Sequence, residues 1–113
     1  MTLEVRRLTA EASEIAIGGE VTSAAEGRLI DAYHRASAEG ARVIVLDFGR
    51  LEYMNSGGIG LLVTLLIRAQ RQGQRLMAVG LNEHYRQILA LTRLDESIGI
   101  HATEAEALAS AGA

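Results

Sequence analysis

Residues 43–60 read Val43-Ile44-Val45-Leu46-Asp47-Phe48-Gly49-Arg50-Leu51-Glu52-Tyr53-Met54-Asn55-Ser56-Gly57-Gly58-Ile59-Gly60. The opening Val43–Leu46 is a short apolar run rich in β-branched residues, as a buried strand requires. Leu61-Leu62-Val63-Thr64-Leu65-Leu66-Ile67, which follows, is the most apolar segment of the chain. The arrangement expected is a buried strand over 43–48, a surface loop, and a helix whose N-terminus opens at Asn55-Ser56-Gly57-Gly58. An α/β sheet places its functional loop at the carboxyl end of a strand. The residues at that mouth are therefore the first candidates for function.

Working backwards, Leu3–Leu8 and Glu14–Val21 carry apolar residues at alternating positions and read as two strands, the second wetted on one face. The connection between them is short, so antiparallel pairing is expected. Gly18-Gly19 marks a bend or bulge. Thr22 or Ser23 then caps a helix, with Glu26 at the capping-box spacing from Ser23. Its inward face is Leu29, Ile30, Tyr33 and Ala36 or Ser37, and Gly40 stops it.

Working forwards, the central helix runs to about residue 72, where Gly73 ends it. Its first half is apolar nearly all round and is expected to pack on more than one side. Arg68 and Arg71 suit the negative end of its dipole. Leu76–Leu81 is a strand. Asn82 caps a helix with Tyr85, Ile88, Leu89 and Leu91 or Thr92 inward. A short strand at 98–102 and a helix over 104–110, capped by Thr103 with Glu106 three residues on, complete the chain. Alternation of this kind predicts an α/β fold: a small, mixed, mostly parallel sheet with an antiparallel N-terminal strand and about four helices, in one domain over 1–113.

Composition excludes several classes. The chain has 113 residues, 49% of them hydrophobic, and a net charge of −3. That charge gives no electrostatic case for nucleic acid. There is no cysteine, so thiol catalysis and disulfides are out. His34, His84 and His101 are too scattered for a metal motif. The apolar run at 59–67 falls short of the roughly 20 residues a membrane span needs. A cytoplasmic protein with no cofactor and no direct membrane insertion is expected.

The order of elements, with Leu46-Asp47-Phe48 followed by Met54-Asn55-Ser56-Gly57-Gly58-Ile59-Gly60, resembles a STAS domain over essentially the whole chain. This is the domain of bacterial anti-sigma-factor antagonists and of sulphate-transporter tails. Gly19-Glu20-Val21 is similar to the family's Gly-Glu-Leu-Asp signal. The resemblance implies a non-enzymatic protein that docks an anti-sigma factor doubling as a serine kinase, through the loop and helix N-terminus. It further implies that phosphorylation of the motif's second hydroxyl breaks docking and that a serine phosphatase restores it. Three positions depart from the pattern. The motif Asp is Asn55, the Asp of Gly-Glu-Leu-Asp is Thr22, and the acceptor implied by the resemblance is Gly57. Without a hydroxyl there, the usual switch is expected to be missing.

The expected docking residues are Thr22, Tyr53, Met54, Asn55, Ser56, Gly57, Gly58 and Ile59. Two readings stay open at several of them. Ser56 is a helix cap or a substitute phosphate acceptor. Asn55 is a turn residue or a site for electrostatic docking with its charge removed. Gly57 and Gly58 allow an unusual backbone angle or the close approach of a partner's backbone. Of Tyr53 and Met54, one points into the core; an outward Met54 beside Ile59 would make an apolar docking patch. Two other functions remain as alternatives: a scaffold subunit of a sensor complex or membrane transporter, and a small nucleotide-binding protein or enzyme. Against the last, Gly-Gly-Ile-Gly lacks the Lys-Ser/Thr ending of a nucleotide loop, and no nucleophile, base and orienting group converge.

Overall fold

The computed structural model describes residues 1–112. Its elements in chain order are β1 (Thr2–Arg7), β2 (Ala12–Val21), α1 (Glu26–Ala36), β3 (Val43–Met54), α2 (Ser56–Arg71), β4 (Arg75–Val79), α3 (Glu83–Leu91), β5 (Gly99–His101) and α4 (Glu104–Ala111). The five strands form one sheet in the order β1-β2-β3-β4-β5. β1 pairs antiparallel with β2, and every other pair is parallel. The mixed sheet and its antiparallel first strand are as the sequence predicts.

Each parallel step moves the same way along the sheet. Right-handed crossovers in one direction put their helices on one face. Accordingly α1, α2 and α3 share a core with Ile15, Ile17, Ile44, Leu46, Leu76 and Ala78. α4 follows the last strand and is no crossover, so nothing holds it to that face. It lies on the other, where Ala107 packs with Ala12, Val43, Val45, Met77 and Val79.

Four expectations fail. First, the face of β2 expected to be wetted is fully exposed only at its end, at Glu20; Glu14 is buried and Ala16 half-buried. It lies between β1 and β3, beside the covered part of both faces. Second, the loop expected after Phe48 is strand. β3 continues for 12 residues, and Gly49–Met54 pairs with the end of β2 while β4 stops opposite Asp47. The result is a two-stranded extension, with register shifts between Ala16 and Gly18 and between Gly19 and Glu20. Such bulges increase local twist. Third, Ser23 and Glu26 form no capping box. Thr22 caps a single 3-10 turn, Ser23–Ala25, ahead of α1, and its Oγ1 accepts from the N–H of Ala24 at 3.3 Å. Fourth, Leu91 is 84% exposed; α3 turns only Tyr85 and Leu89 fully inward.

The caps at Asn82 and Thr103 are observed, with Oδ1 and Oγ1 accepting from Tyr85 and Glu106 at 3.0 and 3.2 Å. Gly73 ends the central helix in the left-handed region, at φ 68°.

Candidate functional site

α2 begins where the β2–β3 extension ends, and one residue makes the corner. Asn55 is extended (φ −92°, ψ −175°), and its side-chain oxygen accepts from the N–H of Gly58 at 2.9 Å. Asn55, not Ser56, is therefore the cap. Both residue types cap helices well, so the sequence alone left the boundary uncertain by one position. Ser56 is the first helical residue. It is exposed, and its hydroxyl bonds to nothing among the described residues. Asn55→Ala should cost about 1 kcal/mol of stability, read as a lower urea midpoint with an unchanged slope. Asn55→Asp should keep the cap and match or exceed the original stability, because a carboxylate suits a helix N-terminus.

The two glycines are tight, but against their own chain. A Cβ on Gly58 would lie 2.5 Å from the carbonyl oxygen of Val21 and 2.6 Å from Cγ of Met54. One on Gly57 would meet the backbone nitrogen of Ser23 at 2.9 Å and its Cβ at 3.0 Å. Neither residue has a positive φ. The helix start is thus pressed onto the end of β2 and the turn after it. The close approach read from the glycines is made by Val21 and Ser23, so a partner does not need to supply it.

Met54 points inward and is 4% exposed. Its N–H donates to the buried hydroxyl of Tyr85 at 2.8 Å. That bond ties α3 to the end of β3 and holds the corner from a third side. The outward apolar patch at Met54 does not form. Its neighbour Tyr53 faces out at 48% exposure. Thr22 and Ile59 are half-buried.

Sequence reasoning missed the row that continues from Ile59. Val63 and Ile67 follow at i+4 and i+8, so they stack on one face of α2. Val63 is half-buried and Ile67 is 45% exposed. The adjoining face, Leu61, Leu62, Leu65, Leu66 and Ala69, fills the core, and Ile59 packs against its edge. Packing on more than one side was expected here, but the outer row has no covering element. Its spacing was the available signal. Exposed carboxylates at Glu20 and Glu52 lie near the end of the β2–β3 extension that leads into this helix, and exposed Arg68 and Arg71 stand at its other end.

Among the described residues no group of three or more acidic, His or Cys side chains could hold a metal ion. No helix there is long and apolar enough to cross a membrane. At this corner the Gly58 N–H is already bonded to the side chain of Asn55 and the Ile59 N–H to its carbonyl.

The chain matches the family model described as Mlab, STAS domain, over residues 5–102. Its fold is similar to that of an anti-sigma factor antagonist from Mycobacterium paratuberculosis, with 20% identity and a TM-score of 0.83, covering 99% of this chain and 94% of that one. It is similar to the phosphorylated form of the Bacillus cell fate determinant SpoIIAA, with 20% identity and a TM-score of 0.70, covering 97% and 99%. It is also similar to the STAS domain of a SulP transporter from Vibrio cholerae, with 19% identity and a TM-score of 0.75, covering 93% and 84%. At these identities the likeness is one of fold.

Proposed function

The chain belongs to the STAS domain family, and from that premise we propose that it is a non-enzymatic docking module of the anti-sigma-factor-antagonist type. Its partner is an anti-sigma factor of the serine-kinase type. The docking surface takes in Thr22, Tyr53, Ser56 and Ile59, and extends along Val63 and Ile67. The observation that carries this reading is the partly exposed apolar row on α2, headed by an exposed serine whose hydroxyl has no partner among the described residues. Apolar side chains at the centre of a patch, with charges at its rim, are what a protein interface uses.

Position 57 has no hydroxyl, and Ser23 walls it in, so no phosphate is added there. Ser56 is not needed as a cap, which leaves its hydroxyl free. This supports the substitute-acceptor reading over the expectation of a missing switch. A phosphate on Ser56 adds roughly −2 charges. The helix N-terminus tolerates them, so α2 stays folded. The charge instead falls beside Ile59, three residues on along the helix, where docking must exclude water. A serine phosphatase would reverse the step.

The test is affinity capture of the partner, followed by phosphopeptide mass spectrometry after incubation with it and ATP. Phosphate is expected on Ser56, none on Ser56→Ala, and at least tenfold weaker docking for Ser56→Glu. Full docking by Ser56→Glu would remove the switch from the proposal.

The fold shared with a SulP transporter's STAS domain favours a second reading, a scaffold subunit of a sensor complex or membrane transporter. The same capture experiment separates the two. A kinase-type anti-sigma factor supports the first, and transporter subunits or an assembly of like domains the second.

A further inference from the structure

The sheet face that carries α4 is only half covered. α4 lies over β3 and β4, and beside it a trough of about 440 Å³ opens above β1 and β2. The charged groups facing this region are Glu4 and Arg6 from β1, Glu14 from β2, Asp47 and Arg50 from β3, and Glu104 from the first turn of α4.

Glu14 stands out among them. It is 4% exposed. Its Oε1 accepts from Nη2 of Arg6 at 3.2 Å, and the same nitrogen donates to Oε2 of Glu104 at 2.8 Å. One guanidinium nitrogen thus bridges two carboxyl groups, one on the sheet and one on α4. The second oxygen of Glu14 has no hydrogen-bond partner among the described residues and almost no accessible surface. No ligand reaches such an atom, but a proton does. A buried acceptor without a donor is costly. Protonation turns that carboxyl into a donor, and the shared Arg6 nitrogen holds the Glu104 carboxylate beside it.

We propose that Glu14 and Glu104 form a proton-operated clasp that fastens the N-terminal end of α4 to the sheet when Glu14 is protonated and loosens it when Glu14 ionises. The charge count supports the direction. With Glu14 neutral, Arg6 balances Glu104. With Glu14 ionised, one guanidinium serves two carboxylates, and Asp47 adds a third negative charge nearby. Like charges sharing a site drive one carboxyl to keep its proton. Burial, followed by the hydrogen bond to Glu104 and its charge, pushes Glu14 up to about 7 from the ordinary 4.5, against the opposing pull of Arg6.

The sign follows from linkage. The folded chain holds this proton up to about pH 7, whereas an unfolded chain releases it near 4.5. The contribution of Glu14 to stability is full below the lower value and is lost as pH rises to the higher one. The clasp therefore operates across the neutral range, on the sheet face away from α2.

The test compares the wild type with Glu14→Gln, which keeps the shape and the donor but cannot ionise. The folding constant of the wild type should fall relative to that of the variant by up to tenfold per pH unit between pH 5 and 7, measured by urea denaturation. Hydrogen exchange of α4 amides, corrected for intrinsic rates, should speed up by up to about tenfold from pH 6 to 8 in the wild type and stay flat in the variant. Carboxyl ¹³C titration of the wild type should place Glu14 near neutrality, and Glu104→Gln should move that midpoint down. Parallel pH profiles, unchanged α4 exchange, a Glu14 midpoint below 5, or no shift in Glu104→Gln would each overturn the clasp.

Discussion

Gly58→Ala will unfold at a lower urea concentration than the wild type, with a loss of about 3 kcal/mol and a fall in Tm of about 10 °C. The added methyl would sit 2.5 Å from the Val21 carbonyl oxygen and 2.6 Å from Met54 Cγ. Methionine can shift, but a strand carbonyl that also accepts from the Asn55 N–H at 3.3 Å cannot do so without opening the corner. Gly60→Ala is the matched control. Gly60 lies in the same helix, is exposed, and has nothing within 4 Å of its would-be Cβ. That change should stabilise by about 0.5–1 kcal/mol, through helix propensity and a less flexible unfolded chain. Equal effects at the two positions would show that the tight contact with β2 does not set the geometry of the corner.

Ile67→Asp will weaken docking to the captured partner by about thirtyfold, the loss of an apolar contact worth about 2 kcal/mol and the burial of a charge in its place. Tm should move little, because Ile67 is 45% exposed already. Leu91→Asp supplies the comparison. Leu91 is 84% exposed but sits on α3, outside the row, and its replacement should leave affinity unchanged. If Ile67→Asp binds normally, α2 does not carry the surface. If both variants lose binding, the loss reflects added negative charge and not this row.

Much of the architecture was legible in the sequence because each signal had one physical meaning. Val43–Leu46 could only be a buried strand. Asn82 and Thr103 stood just before apolar periodicity, and Gly73 just after it. The extension of β3 was hidden because Gly49, Arg50 and Glu52 are polar. They sit beyond β4, where only β2 pairs with the strand, so the strand is exposed and its composition resembles a loop. The corner was misread by one residue, since Asn55 and Ser56 compete for the same role. Glu14 was passed over because alternation placed it on a solvated face. Its burial depends on β1 on one side and β3 on the other, and on α4 arriving from about ninety residues downstream, none of which a local pattern records.

The order of the strands in the sheet has a bearing on how the molecule is made. Because spatial neighbours are also neighbours along the chain, no strand has to wedge between two already joined. Every new one finds an open edge waiting as the polypeptide leaves the ribosome. Assembly can proceed vectorially from the β1–β2 hairpin, each parallel strand then closing a crossover onto that edge. Only the last helix folds back across work already done, so a nascent protein halted before residue 104 would carry a finished upper layer over a bare apolar underside.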